Sequence, residues 1–386
     1  MAGIEESVRA YESYLRKELG RELVAEDLAR KHEKLAASPF AFLRGTYWRW
    51  AETILEVCPD LRKATPVLAV GDIHLENFGT WRDVDGRLVW GVNDFDEAAE
   101  MPYVLDLVRL AASALLASLD RDPKRAPSRG MSAAAICSSV LEGYAQGLEA
   151  PKAIVLDRDW DWLREMLAVS DKQRAKFWSK IEAAKDEPAP ARYRRALAAA
   201  MPQPRLDMLT SRRTAGTGSL GRPRWIGVAE WRGAPVVREL KVVLASAWHR
   251  GPARNRRAIR CVEIVNGRFR ANDRGTGSRA ICSCAGYRPT TARSKPTTKA
   301  SRCSHPTCWV PWDASSPACI WAPAIAAPPL CATSRAARTT GWAPTPSRPP
   351  PPSPATTGTG RRWFSPVIWA SRATGMVQVN KAARLG

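Results

Sequence analysis

Two short segments decide the fold: Gly-Asp-Ile-His-Leu-Glu-Asn-Phe at 71–78 and Val-Asn-Asp-Phe-Asp-Glu at 92–97. Each segment follows or ends a short apolar run, and turn residues separate the two runs. Short apolar runs bounded by turn residues are typical of strands. The sequence therefore predicts two short strands that deliver Asp72, Asn77 and Asp94 to one end of a small sheet.

These three side chains suit phosphoryl transfer. That reaction needs a carboxylate to orient or deprotonate the attacking hydroxyl, together with oxygen ligands for magnesium at the phosphates. Asp72 fits the role of the base, while Asn77 and Asp94 fit the role of metal ligands. Asp96 lies two residues beyond Asp94, so a continuing strand would place it on the same face as a further ligand.

The two segments resemble known motifs. Protein kinases carry an Asp and, five residues later, an Asn, followed by a metal-binding Asp-Phe-Gly. Aminoglycoside phosphotransferases have a related His-Gly-Asp-x-His-x-x-Asn, and Val70 stands here in place of the first His. The resemblance implies a kinase-like, two-lobe α+β fold that uses ATP and Mg²⁺, with nucleotide and an unidentified hydroxyl-bearing small molecule as partners.

A narrower resemblance is to the bacterial family known as domain of unknown function 2252, which is grouped with the kinase-like folds. It rests on four motifs: Ser-Pro-Phe-Ala-Phe-Leu-Arg-Gly at 38–45, Gly-Asp-x-His-x-x-Asn-Phe-Gly at 71–79, Asn-Asp-Phe-Asp-Glu at 93–97 and Asp-Leu-x-Arg-Leu at 106–110. The resemblance covers roughly residues 30–273 and is strongest at 71–110.

Three further residues are assigned supporting roles. The resemblance implies that Asp106, at the start of an apolar helix over 103–117, braces the catalytic loop by hydrogen bonds. We expect His74 to fix the turn by bonding to the backbone rather than to touch substrate. Two alternatives stay open for Arg44. It either contacts phosphate or a carboxylate of the site, or it forms a salt bridge on a helix surface.

A glycine-rich turn and a lysine follow the catalytic segments. Gly-Thr-Gly-Ser-Leu-Gly at 216–221 leads into a predicted strand over 225–231, a turn at 232–233 and a returning strand over 236–241. Glycines allow the backbone to approach phosphate closely. The nucleotide-binding candidates are Gly216, Gly218, Ser219, Gly221 and Lys241. In kinases these parts precede the catalytic loop, so the order predicts a circular permutation.

Kinase-like lysines are usually held by a glutamate on a nearby helix. Residues 252–265 read as a helix, because a proline lies in its first turn and Asn-Gly ends it. Glu263 is the only acidic residue of this segment and is the candidate partner of Lys241. The arginines of the same helix offer an alternative, in which Glu263 is an ordinary intrahelical partner.

The composition changes abruptly after residue 273. Residues 274–386 contain 15 basic residues and one acidic residue, a net charge of +14 out of +21 for the whole chain. They also hold 16 of the 30 prolines and six of the nine cysteines, without lasting periodicity. The tail is therefore predicted to be largely disordered. A shift of the reading frame in a GC-rich gene would explain both the abrupt change and the composition. It would also remove the elements that complete the nucleotide-covering lobe, and could thereby leave this chain inactive.

The chain is predicted to have four parts. Residues 1–65 are a helical N-terminal region, 66–205 a catalytic and metal-binding lobe, 206–273 a partial nucleotide-covering lobe, and 274–386 the tail. The apolar patterning predicts helices over 4–19, 21–37, 47–57, 131–148 and 159–167.

Two classes of function stay open. The first is an ATP- and Mg²⁺-dependent phosphotransferase. The second is a non-catalytic protein, either a pseudokinase-like nucleotide binder or a binder of nucleic acid through the basic tail, where the charge attracts polyanions without sequence preference. The tail cysteines and His305 are spaced too irregularly to predict zinc. No apolar run predicts a membrane span and the start is acidic, so a cytoplasmic location is expected.

Overall fold

The computed structural model describes residues 2–120, 131–203, 205–250, 259–271, 277–279 and 282–286. All of them lie in one compact unit, Met1–Pro329, and a second unit, Leu330–Gly386, lies outside the described residues. The elements mix helix and sheet, so the predicted α+β class is confirmed. The helices are α1 (Ile4–Leu19), α2 (Ala25–Ala36), α3 (Pro39–Gly45), α4 (Tyr47–Val57), α5 (Val104–Leu119), α6 (Ala133–Glu149), α7 (Asp161–Leu167), α8 (Asp171–Glu182), α9 (Ala191–Ala200) and α10 (Cys261–Val265). The strands are β1 (Pro66–Ala69), β2 (Phe78–Arg82), β3 (Leu88–Val92), β4 (Ala99–Pro102), β5 (Ile154–Val155), β6 (Met208–Arg212), β7 (Arg224–Trp231), β8 (Ala234–Val242), β9 (Gly277–Arg279) and β10 (Cys282–Gly286).

The first four helices form the predicted helical N-terminal region. Helices α1 and α4 have the predicted bounds, and Tyr11 of α1 stacks on Trp48 of α4 with ring centroids 5.0 Å apart. Ser38 caps α3, because its hydroxyl accepts a hydrogen bond from the Ala41 N–H at 3.2 Å. The helices predicted over 21–37, 103–117, 131–148 and 159–167 are also confirmed, with ends shifted by a few residues.

The two strands that precede the predicted site belong to different sheets. β1 pairs with β4, whereas β3 pairs with β2 and β5, all antiparallel. The prediction of one small sheet is therefore wrong, because β1 takes β4 as its antiparallel partner while β3 pairs with β2 and β5. The ends of the strands still meet: the Asn77 side chain donates to the Asp72 and Asp94 backbone carbonyls, each at 3.0 Å.

The glycine-rich turn lies at one end of a five-stranded sheet with the order β6-β7-β8-β10-β9. β7 and β8 form the predicted hairpin, with Arg232 and Gly233 at its turn in left-handed conformations. Alternation places Ile226, Val228 and Val237 on one face, where they pack with residues of α8. Helix α9 covers the opposite face, where Arg238 Nε donates to the Ala200 carbonyl at 2.7 Å.

One prediction for the end of the chain needs correction. The predicted helix over 252–265 is observed only as Cys261–Val265, since residues 259–260 are not helical and 251–258 lie outside the described residues. Within the tail, which is predicted to be largely disordered, the described residues form β9 and β10, and β10 pairs with β8. The remainder of the tail, including Cys303, His305 and Cys308, lies outside the described residues. In the described parts of the chain, no helix is both long and apolar enough to cross a membrane.

Candidate active site

One cavity of about 60 Å³ collects most of the residues that the sequence singled out. Two structures face each other across it. The acidic wall consists of residues 70–77 and 93–97, and the glycine-rich turn consists of residues 216–221. The residues that line the cavity and were predicted as site residues are Arg44, Asp72, His74, Asn77, Asp94, Asp96, Gly216, Gly218 and Ser219.

Helix α5 braces the acidic wall from behind. Asp106 Oδ2 accepts a hydrogen bond from the Val70 N–H at 2.7 Å, and its Oδ1 accepts one from the Gly71 N–H at 2.9 Å. This is the bracing contact that the resemblance implies. Two turns further, Ser113 Oγ accepts a hydrogen bond from the Leu75 N–H at 3.2 Å. Burial raises the pKa of Asp106 to about 6, although the two backbone N–H groups oppose this shift.

Arg109, one turn beyond Asp106, pairs with Asp72. Its Nε donates to Asp72 Oδ1 at 3.1 Å, its Nη2 contacts the same oxygen, and Nη2 also donates to the Leu43 carbonyl at 2.7 Å. The Arg109 side chain is 1% exposed, while the Asp72 side chain is 22% exposed and faces the cavity. Burial raises the pKa of Asp72 to about 6, against the opposing attraction of Arg109. Asp72 is therefore ionised at neutral pH.

Lys241 lies between Asp94 and Asp96, two further carboxylates of the acidic wall. Its Nζ is 2.7 Å from Asp94 Oδ1 and 2.8 Å from Asp96 Oδ1. Burial and repulsion by Asp94 raise the pKa of Asp96 to about 6. Burial lowers the pKa of Lys241, but attraction to Asp94 and Asp96 outweighs it, so this pKa is raised. The Lys241 ammonium group therefore lies between Asp94 and Asp96, where a metal ion bound by both carboxylates would lie.

The oxygen atoms of the acidic wall fit a hard cation such as Mg²⁺. Among the described residues, no group of three His, Cys, Asp or Glu side chains is arranged to hold a metal ion by itself. Asn77 adds a neutral ligand, because its amide nitrogen is committed to two backbone carbonyls and its oxygen remains as a possible ligand. Mg²⁺ commonly takes one or two carboxylates and completes its shell with water and phosphate oxygens. Asn77, Asp94 and Asp96 provide such a set.

Glu97 joins the acidic wall to the segment that follows β8. Its side chain accepts hydrogen bonds from Arg222 Nη2 at 3.1 Å and from the Ala247 N–H at 2.7 Å. Its backbone carbonyl accepts a hydrogen bond from Ser246 Oγ at 2.8 Å. These contacts, together with the Lys241 pair, bring the five-stranded sheet against the acidic wall.

The glycine-rich turn lies close to Asp72 and is held by the N-terminal helices. A Cβ atom placed on Gly218 would lie 3.5 Å from the Arg44 carbonyl oxygen and 3.7 Å from Asp72 Oδ2. The buried Lys31 of α2 donates to the Gly218 carbonyl at 2.9 Å, and the Val24 N–H donates to the Gly221 carbonyl at 3.1 Å. The turn is therefore closed over the acidic wall in this structure.

Three other predicted residues have the following places. Arg44 Nη1 pairs with Glu76 Oε2 at 2.7 Å, and both side chains are mostly buried at the cavity, so the helix-surface alternative is wrong. His74 is buried, and its carbonyl accepts a hydrogen bond from the Asn77 N–H at 2.9 Å. Glu263 needs correction as the partner of Lys241: it pairs at 2.7 Å with Arg260, which lies three residues earlier, immediately before α10. The local arginine partner is therefore the one observed, although Arg260 itself lies outside the helix.

Sequence reasoning missed several side chains of the site. Arg109 and Ser113 share a helix face with Asp106, so polar residues at positions i, i+3 and i+7 of an otherwise apolar helix were the available signal. Arg224 and Glu239 share a strand face with Lys241, which alternation along the hairpin makes readable. No sequence signal marks Lys31, because its partner lies 187 residues away.

The described residues thus define an α+β protein with a half-buried carboxylate cluster beneath a glycine-rich turn. Residues 21–210 match the model of a family described as an uncharacterized protein conserved in bacteria (DUF2252). The match contains the acidic wall and α5 and ends before the glycine-rich turn. No curated protein and no solved structure was found to match the chain.

Proposed function

We propose that this chain is an ATP- and Mg²⁺-dependent phosphotransferase of kinase-like fold that acts on a hydroxyl-bearing acceptor. The observation that carries the proposal is the cavity in which Asp72, Asn77, Asp94 and Asp96 face a glycine-rich turn. Base, oxygen ligands and phosphate-binding backbone are the parts that phosphoryl transfer requires. They come from segments more than 100 residues apart in sequence, so a structural role in one local turn does not explain their meeting.

Asp72 acts as the base of the proposed reaction. Arg109 holds Oδ1, so Oδ2 is the oxygen that faces the turn and the incoming hydroxyl. An ionised carboxylate accepts the hydrogen bond of an alcohol and orients its oxygen for attack. Arg109 of α5 holds the Asp72 carboxylate in one orientation, because its guanidinium group binds both that carboxylate and the Leu43 carbonyl.

Asn77, Asp94 and Asp96 would hold the magnesium ion. When bound, Mg²⁺ neutralises charge on the phosphates and orients them. Lys241 pairs with Asp94 and Asp96 in this structure and is placed to turn its ammonium group to phosphate oxygens. Asp94 and Asp96 can therefore pair with either Lys241 or Mg²⁺, so we expect the binding of the metal and of the nucleotide to depend on each other.

The glycine-rich turn must lift to admit a nucleotide. The cavity of about 60 Å³ is far smaller than the several hundred Å³ that ligand pockets commonly enclose. The turn is held by hydrogen bonds that Lys31 and the Val24 N–H donate to its carbonyls, and these bonds must break for the turn to lift. The catalytic segments come first in the chain and the turn second, so the proposed fold is a circularly permuted version of the kinase arrangement.

Nucleotide-dependent stabilisation tests this function. Binding to the folded state alone raises stability by about 2.7 kcal/mol at a ligand concentration 100 times Kd. We expect Mg-ATP, but not ATP with excess chelator, to raise the melting temperature of the full chain. Asp94→Asn should abolish the rise, and Asp72→Asn should retain it while losing phosphate transfer or ATP hydrolysis. A wild-type chain that shows no Mg-ATP-dependent rise contradicts the proposal.

We also propose that the coding sequence changes reading frame near codon 273. The proposal is supported by the abrupt change to a basic, proline-rich composition after residue 273. Sequencing the encoding DNA tests it, because a frame change requires an open alternative frame beyond that codon. A single uninterrupted frame with no open alternative contradicts it.

A further inference from the structure

The hairpin places a second cation beside Lys241. Arg224 on β7 is the direct cross-strand partner of Lys241 on β8, so both side chains project from the same face of the sheet. Arg224 begins the strand that follows the glycine-rich turn, and its side chain is 8% exposed. Lys241 alone pairs with Asp94 and Asp96, so Arg224 is a second cation at the base of this turn that those two carboxylates do not engage.

Arg224 is held in a defined orientation by a buried partner. Its Nη1 pairs with Glu239 Oε1, and Glu239 lies two residues before Lys241 on the same strand face. The other terminal nitrogen, Nη2, donates to the Ser219 hydroxyl at 2.7 Å. Arg224 therefore connects the sheet to the glycine-rich turn, with one arm fixed by a carboxylate and the other at the turn.

The position of Arg224 relative to the cavity differs from that of Lys241. Arg224 lines the cavity, whereas Lys241 is not among the lining residues and contacts Asp94 and Asp96 instead. A Cβ atom on Gly216 would lie 3.4 Å from Arg224 Nη2, so the guanidinium group lies directly against the turn. In this closed state Arg224 lines the cavity beneath the turn together with Arg44 and Arg222, and of these three arginines it is the one that belongs to the strand beside Lys241.

We propose that Arg224 is a second phosphate-binding residue of the site, oriented by Glu239 and released from Ser219 to the ligand when the turn lifts. The inference rests on the proposed function and adds the residue that recognises the polyphosphate. Arginine suits this role, because its planar guanidinium binds phosphate oxygens in a bidentate manner and stays charged at all relevant pH values. Glu239 is a positioning residue, since it acts through Arg224.

A charge-neutral replacement of the pair tests the inference. Arg224→Met alone would leave Glu239 buried without its main partner, so the double variant Arg224→Met with Glu239→Gln is the principal test. The matched control is the double variant Arg212→Met with Glu187→Gln, which removes an ion pair from a mostly exposed arginine of the same sheet without changing the net charge. The probes are Mg-ATP and magnesium tripolyphosphate, which carries the phosphates without a base.

We expect the double variant to bind both probes at least about tenfold more weakly, as the loss of a charge-assisted hydrogen bond implies, and the control to bind like the wild type. Glu239→Gln alone should weaken both probes by a smaller factor, and Arg224→Lys should recover part of the affinity. Thermal unfolding without ligand shows whether each variant is folded. If the double variant is unfolded, Arg224→Lys decides, since unchanged affinity there contradicts bidentate recognition.

The outcomes separate the inference from the function on which it rests. If the wild type binds Mg-ATP and a folded double variant binds both probes equally well, the role of Arg224 is wrong and the proposed function stands. If the double variant loses Mg-ATP but keeps tripolyphosphate, Arg224 contacts the nucleoside and the inference is again wrong. If the wild type binds neither probe, the proposed function and the inference fall together.

Discussion

The acidic wall and the glycine-rich turn face each other across the same cavity but are held in different ways. The wall is fixed by buried side chains of α5, which bind its backbone and Asp72 directly. The turn is fixed from outside by Lys31 and the Val24 N–H, which bind its carbonyls. A rigid wall and a removable cover are what a site needs if it must close on a ligand and then release it.

The largest expected effect concerns a glycine of the acidic wall. Gly71 has φ +82°, and a Cβ atom there would collide with the Glu97 carbonyl and lie 2.9 Å from the Tyr47 hydroxyl. Gly71→Ala should therefore combine backbone strain with overpacking and lower the free energy of unfolding by about 3–5 kcal/mol. Urea unfolding measures this loss.

Gly86 supplies the matched control for Gly71. It has the same φ of +82°, but a Cβ atom there would meet nothing within 4 Å. Gly86→Ala should therefore cost only the strain of the left-handed conformation, about 1–2 kcal/mol. Equal losses for the two variants would show that the wall does not pack tightly around Gly71, which contradicts its rigidity.

The second effect concerns the brace behind the wall. Asp106→Ala leaves the buried Val70 and Gly71 N–H groups without acceptors, and each unsatisfied group costs about 1–3 kcal/mol. We expect a loss of about 2–4 kcal/mol in the free energy of unfolding at pH 7.5. Glu142→Ala, at an exposed position of α6, should change it by less than about 0.5 kcal/mol. A loss as small as that of the control would mean that the brace does not stabilise the wall.

The residues of the acidic wall could be predicted from the sequence better than the strands and side chains that hold them in place. Helices α1 and α4 and the β7–β8 hairpin follow from local periodicity and turn residues, and these signals act over short distances. The motif residues met as expected because each one lies at the end of a short strand or in the turn beside it. The division of the strands into separate sheets could not be predicted from the sequence, because it depends on β2 and β4, in which few apolar residues alternate.

The pairing of charges was the least predictable feature. The kinase resemblance predicts Glu263 as the partner of Lys241. Instead, Lys241 pairs with Asp94 and Asp96, and Glu263 pairs with Arg260. Which cation meets which carboxylate depends on the packing of segments far apart in the chain. Local sequence shows that a side chain is charged but does not show which partner it meets in the folded protein.

A third, smaller effect concerns the contact that holds the turn. Lys31→Met keeps the apolar stem but removes the hydrogen bond to the Gly218 carbonyl. We expect opening of the turn to become easier by about 1–2 kcal/mol, so that the amides of 216–221 exchange about tenfold faster. Hydrogen exchange measures this, with Lys34→Met as the control at an exposed position of the same helix. Faster exchange of the acidic wall by the same factor would show that wall and turn open together.

Gly218→Ala is expected to change the free energy of unfolding the least among these variants, and its main effect should be on the binding of Mg-ATP. A Cβ atom there makes only ordinary contacts with the Arg44 carbonyl and Asp72 Oδ2, so Gly218→Ala should alter the free energy of unfolding by less than about 1 kcal/mol. The methyl group would nevertheless occupy the space between the turn and the wall, so Mg-ATP should bind at least about tenfold more weakly. Gly3→Ala, with nothing within 4 Å, is the control. If Gly218→Ala destabilised the fold as strongly as Gly71→Ala, the turn would be part of the rigid frame and not a cover, since a movable segment tolerates an added methyl group better than a packed one.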